Sequence, residues 1–167
     1  MTLMSPNILL LSIQQKYAAM IFEGNKQVEL RRVRPRHLKN GDLILVYVTS
    51  PKQALVGVVE VEKVVEMSPD KLWQIVEGKA GITHENFCKY YTDSSTGFAI
   101  FLRKTFSFDS PIKLEQIRKK WSNFRPPQCY HYLKDREFRI VQSMASSDIL
   151  SLSEKSKTYQ AELAFQR

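Results

Sequence analysis

Gly24-Asn25-Lys26-Gln27-Val28-Glu29-Leu30-Arg31 is the stretch from which the rest of this chain is best read. A glycine suited to the C-terminal cap of a short helix leads into an extended segment, where successive side chains alternate faces. Val28 and Leu30 then take one side, while Glu29 and Arg31 take the other, roughly 6.5 Å apart along it. The apolar pair can enter a core while the charged pair lines a cleft. Lys26 stands at the corner between helix and strand, where its long amine can swing toward Glu29. Two cations flanking one carboxylate form either an ion-pair network, worth about 0–1 kcal/mol per exposed pair, or a site for an anionic ligand. In the second case Arg31 grips a phosphate or carboxylate through its planar fork. Glu29 accepts a hydrogen bond from a base amine or ribose hydroxyl, or acts as a general base.

Outward from this stretch, residues 8–13 predict a strand. Residues 14–23 predict a helix with Tyr17, Met20 and Ile21 at helical spacing. The strand from 26 to 34 runs into a polar connection with an Asn40-Gly41 turn signal. Strands are expected at 43–49 and 54–65, the second long enough to bend or bulge. Ser68-Pro69-Asp70 opens a helix to about Val76, with proline early, where its missing N–H costs nothing. Thr83 caps another over 83–91, and a strand over 98–108 is expected to end at Asp109-Ser110-Pro111. A brief helix over 114–120 and an aromatic-rich loop or strand over 121–133 follow. Residues 1–133 read as one domain and 134–167 as a C-terminal extension, a linker or helix able to dock a protein partner. The order of elements fits an α+β fold with helices inserted around five to six strands, and pattern alone does not separate an open sheet from a barrel.

At 167 residues the chain is long enough for one domain with a sizeable core. It carries 25 lysines and arginines against 17 aspartates and glutamates, a formal charge of +8 that favours an anionic partner such as nucleic acid. Its two cysteines, Cys88 and Cys129, argue against a disulfide scaffold and suit a reducing cytosol. No apolar run approaches the roughly 20 residues needed to cross a bilayer. Ile8-Leu9-Leu10-Leu11 is short, lacks a basic flank and reads as a buried strand, not a secretory segment. A cytoplasmic protein without a membrane role is expected.

The pattern Gly-x-Lys-x-x-Glu-x-Arg resembles the signature of the ASCH family, small PUA-like β-barrel domains linked to RNA. Leu10-Leu11-Ser12-Ile13, Tyr47-Val48-Thr49-Ser50-Pro51, Ala54-Leu55-Val56-Gly57 and Phe124-Arg125-Pro126-Pro127-Gln128 are similar to blocks of one bacterial branch of that family. Together they span about residues 8–133. The resemblance implies the barrel, and an RNA- or nucleotide-binding protein with a charged cleft, able to serve in regulating transcription or translation. It also implies a hydrolase alternative. Some small members remove an acyl group from modified cytidine, with a threonine nucleophile at the position of Glu29, whereas others are associated with RNA cleavage. This chain lacks that hydroxyl, so the same acyl-enzyme route is closed. Glu29 as base with Lys26 as its partner would be the catalytic pair here.

Other residues fall into the same reading. Trp121 to Tyr132 interleaves aromatics with Arg125, Gln128 and His131. Such a mixture either stacks and reads bases for about 1–3 kcal/mol each or plugs the core with rings, leaving Arg125, Gln128 and Tyr130 at a cleft rim. Arg31, Arg32, Arg34, Arg36 and Lys39 form a basic run suited to phosphate contact or to a solvated edge strand. Tyr47, Thr49 and Ser50 bring hydroxyls to a barrel mouth, and Lys16 with Tyr17 can add an ammonium and a phenol. His84 with Cys88, and Cys129 with His131, do not repeat with zinc-like spacing, and no phosphate-binding glycine loop is present, so no metal or cofactor is expected.

Overall fold

A computed structural model of the chain describes residues 5–145, 149 and 151. Strand β1 (Ile8–Ile13) is apolar at almost every position, as suits a strand covered on both faces. It pairs in parallel with β3 (Leu43–Val48), reached through helix α1 (Gln15–Phe22) and strand β2 (Val28–Arg31). Antiparallel pairing carries β3 to β4 (Ala54–Met67), β4 to β5 (Gly97–Lys113), and β5 back to β2. A two-residue strand β6 (His131–Tyr132) pairs with β1 at Leu9 and Leu10. The result is an α+β fold on one six-stranded sheet, ordered β2-β5-β4-β3-β1-β6 and curled into a half-barrel. Helices α2 (Pro69–Val76) and α3 (His84–Tyr90) lie between β4 and β5 in sequence, and α4 (Leu114–Lys120) and α5 (Asp135–Met144) follow the last long strand.

Alternation divides the core. Leu9, Leu11 and Ile13 join Ile44, Val46 and Val48 beneath Ala18 and Ile21 of α1. Ile8 and Leu10 join Leu43, Leu45 and Tyr47 on the opposite face, with Ile117, Phe124 and Val141. A third cluster seats Leu72, Val76, Phe87 and Tyr91 of the inserted helices on Val28, Leu30, Ala99 and Phe101. In β2, therefore, the apolar pair faces the insertion, and Glu29 and Arg31 face the side that carries α1.

Several elements depart from their expected bounds for identifiable reasons. β2 is shorter than 26–34: at its start the N–H groups of Gln27 and Val28 are taken by the Lys79 carbonyl, outside the ladder, and its pairing with β5 ends at Arg31 opposite Phe98. β5 continues through Asp109-Ser110-Pro111, which does not end it. The paired register jumps there from Ser107 to Ile112, so the proline, which has no N–H for a ladder, sits in an irregularity. Within 134–167, read from sequence as an extension, α5 buries Val141 in the second cluster; most of the residues beyond Ala145 lie outside the described set. Among the described residues no helix is long and apolar enough to cross a membrane.

One glycine marks a close approach. A Cβ on Gly57 would lie 2.3 Å from the Phe106 carbonyl oxygen and 2.8 Å from the Phe22 ring, at the bulge where β4 slips against β3 and β5. Gly57→Ala is expected to destabilise the fold by about 1–3 kcal/mol, read as a lower urea midpoint with unchanged slope.

Candidate functional site

The half-barrel leaves a seam. β6 covers β1 at Leu9 and Leu10 alone, so the far half of β1 faces β2 across a gap. Ile13 gives its carbonyl to the Thr49 N–H on the β3 side, so the Ser12 carbonyl one residue earlier points into the gap. Arg31 closes the distance: its Nη2 donates to the Ser12 carbonyl at 3.0 Å and lies 3.0 Å from Glu29 Oε1. The Ser12 hydroxyl donates in turn to the Pro127 carbonyl at 2.7 Å, tying the loop before β6 to the same place.

Lys26 is held more completely. Its Nζ donates to the carbonyls of Val28 at 2.6 Å and Ala80 at 2.7 Å, and lies 3.4 Å from Glu29 Oε2. An ammonium has three protons, and each has an acceptor here. The Lys26 and Glu29 side chains are only 4% and 10% exposed, so this is a buried pair in which each carboxylate oxygen faces a different cation. Burial pulls the Lys26 pKa below its ordinary 10.5, and the attraction of Glu29 opposes the shift. Arg31 Nε is buried and makes no hydrogen bond among the described residues.

Helix α3 clamps the strand from its other side. The Tyr90 hydroxyl donates to the Leu30 carbonyl at 3.3 Å, and the Tyr91 hydroxyl to the Arg31 carbonyl at 3.1 Å. Burial raises the pKa of both phenols. Between α1, β2 and α3 lies an open cleft of about 560 Å³, within the range of about 300–1,000 Å³ typical of small-ligand sites. Lys26, Glu29 and Arg31 form its floor, Ser12, Gln14 and Tyr17 one wall, and Ala80, Ile82, Asn86, Lys89 and Tyr90 the other.

The structure thus gathers Lys26, Glu29 and Arg31 around one concavity, but it disperses other candidates. Gln128 and Tyr130 border a smaller adjoining hollow. Lys16 is exposed with its ammonium 5.6 Å from the Tyr17 ring, and neither it nor the exposed Arg125 borders the cleft. Arg34 pairs with Glu66 at 3.0 Å, while Arg36 is exposed and gives its backbone N–H to the Tyr130 hydroxyl at 3.4 Å. Tyr47 is the clear correction. It is 1% exposed in the second core cluster, its ring 5.9 Å from that of Phe124, on the sheet face away from the cleft. Thr49 and Ser50 lie in the turn after β3 and do not line the cleft. Of the aromatic loop, Phe124 is core and Trp121 packs edge-on against it at 5.0 Å. Tyr90, Asn86 and Ser12 were not expected at the site. The adjacent phenols of Tyr90 and Tyr91 at the end of the helix expected over 83–91 are the signal that the sequence offers.

A family model described as "ASCH domain" matches residues 11–121. This chain belongs to the ASCH domain family. The ASCH domain-containing ribonuclease of Zymomonas mobilis is 27% identical over 136 residues, covering 81% of this chain and 90% of the relative. A crystal structure of ASCH from Zymomonas mobilis superposes with a TM-score of 0.78 at 26% identity, covering 84% of this chain and 96% of that one. The N-terminal domain of Staphylothermus marinus McrB shares the fold at 12% identity, with a TM-score of 0.53 over 81% of this chain and 93% of its own. The matched ASCH segment includes the whole floor of the cleft and ends before the Pro127 to Tyr132 segment that flanks it.

Lys26→Met is expected to destabilise this ASCH fold by about 3–5 kcal/mol, the usual cost of stranding one member of a buried ion pair, measured by urea unfolding. Carbon-13 NMR of the lysine ε-carbons should show Lys26 titrating below the 10.5 of an ordinary lysine. Between those two values the unfolded chain holds more protons than the folded one, so this group alone makes stability rise with pH.

Proposed function

We propose that this ASCH protein binds single-stranded RNA, with one nucleotide in the cleft above Lys26, Glu29 and Arg31. The observation that carries the reading is the convergence of these three charged groups on the floor of a solvent-open cleft walled by Tyr17 and Tyr90. Arg31 supplies the phosphate contact, since one edge of its guanidinium is already anchored to Ser12 and Glu29 and the group is held rigidly. The two tyrosines offer faces to a base or ribose, and Glu29, fixed by two cations, accepts from a hydroxyl or amine. The net charge of +8 supports a polyanionic guest.

A second reading, cleavage of the bound strand, is favoured by the name of the Zymomonas mobilis relative, a ribonuclease. In that chemistry Glu29 takes the 2′-hydroxyl proton as the 2′-oxygen bonds to phosphorus. The bond to the 5′-oxygen breaks, and that oxygen takes a proton from water. Arg31 offsets the charge gathering on the phosphoryl oxygens. Lys26, with its protons already directed at Val28, Ala80 and Glu29, serves to hold the carboxylate.

Fluorescence anisotropy with a labelled single-stranded 12-mer RNA tests the first reading. Micromolar binding is expected, with a log–log salt slope of about −2 to −3 for three to four phosphate contacts on a single strand. Arg31→Ala should weaken binding by about tenfold, while thermal melting confirms that the variant is folded. Binding indifferent to Arg31→Ala, or no binding at micromolar protein, overturns it. For the second reading, Glu29→Gln should abolish 2′,3′-cyclic phosphate product at RNA concentrations that anisotropy shows to saturate the variant, with thermal melting confirming that it is folded. Wild-type protein that releases no product overturns it.

A further inference from the structure

Next to the cleft lies a second hollow of about 130 Å³, bordered by Leu11, Arg32, Val33, Gln128, Cys129 and Tyr130. Arg31 and Tyr90 border both spaces, so the guanidinium stands at the boundary between them. Arg32 belongs to the second space alone and lies with its guanidinium carbon 5.0 Å from the centre of the Tyr90 ring. Among the described residues no acidic side chain lines the hollow. Val33, 55% exposed, is the one large hydrophobic side chain left open among the described residues. Tyr130 is held edge-on to Tyr132 at 5.9 Å, with its hydroxyl on the Arg36 N–H, so its ring is fixed in place. Gln128 is exposed and offers both donors and an acceptor.

At this size the hollow falls below the range of about 300–1,000 Å³ for a site that holds a small ligand unaided. An apolar and aromatic lining, an exposed amide and two arginines, Arg31 paired with Glu29 and Arg32 beside Tyr90, suit a nucleobase attached to a phosphate.

We infer that the hollow is a second nucleoside subsite, so that the protein takes two consecutive nucleotides of a strand, with Arg31 beneath the phosphodiester joining them. The neighbouring base rests on Val33 and Tyr130, with its edge toward Gln128. This inference rests on the RNA-binding reading of the main cleft and adds the minimum length of the guest.

Cys129 provides a reporter inside the hollow. With Cys88→Ser, it is the remaining thiol of the chain, and its alkylation by iodoacetamide is followed by intact mass. The probes are adenosine 5′-monophosphate and 2′-O-methylated adenylyl-adenosine, which cannot be cleaved through its 2′-oxygen. Both are first assayed for displacement of the labelled 12-mer. At about ten times its Kd the dinucleotide should slow alkylation by about tenfold, whereas the mononucleotide at equal saturation should leave the rate unchanged. Val33→Asp should weaken the dinucleotide by about tenfold, the scale of one stacked base, and leave mononucleotide affinity as it was. A dinucleotide that displaces the 12-mer but neither protects Cys129 nor responds to Val33→Asp overturns the second subsite and leaves the cleft reading standing. Protection by the mononucleotide also overturns it. If neither probe displaces the 12-mer, the cleft reading falls and the subsite falls with it.

Discussion

Glu29 held between two buried or near-buried cations is the interaction on which this molecule's site depends. Moving a carboxylate and an ammonium out of water is costly, and their attraction offsets the cost only when the remaining donors and acceptors are satisfied. For the Lys26–Glu29 pair they are, because the Lys26 ammonium has two backbone carbonyls besides the carboxylate, whereas Arg31 keeps one buried N–H, at Nε, without an acceptor among the described residues. Those carbonyls belong to β2 and to the segment before α3, and the Arg31 contact adds β1. One buried charge cluster therefore joins three parts of the chain that the sheet ladder does not hold together. The cost is met in the folded protein, so a guest finds the floor of the cleft already set.

The incompleteness of the barrel follows from the same economy of hydrogen bonds. A full strand beside the far half of β1 would satisfy the Ser12 carbonyl and fill the gap. A guanidinium satisfies it in its place and leaves the space above open. The Ser12 hydroxyl extends this arrangement to the Pro127 loop, so both flanks of the seam are tied to one residue.

The strand alternation in β1 and β2 was legible from residue order, and so was the gathering of Lys26, Glu29 and Arg31, since all three lie within six residues. The burial of Tyr47 away from the cleft has a physical reason. Its alternation shows that it shares a face with Leu43 and Leu45, but which face borders the cleft is decided by the parallel pairing of β3 with β1, a contact 35 residues apart in sequence for Ile8 and Leu43. Tyr90 was missed because its partner, the Leu30 carbonyl, is 60 residues away and leaves no periodic trace. The continuation of β5 past Pro111 was hidden in the same manner, because a bulge can carry a proline that a regular ladder cannot. Local pattern records faces and turns; distant pairing decides which faces meet.

Helix α3 and the segment that leads into it supply one wall of the cleft, and the insertion of α2 and α3 interrupts none of the barrel's own strand pairing. They hang between β4 and β5 and pack through a cluster of their own on the apolar face of β2. Residues on the solvent side of α3, such as Asn86 and Lys89, are therefore replaceable without disturbing the charges beneath them. A scaffold divided in this manner can change its taste in guests by drift in one short excursion of chain, while the chemistry below is inherited intact.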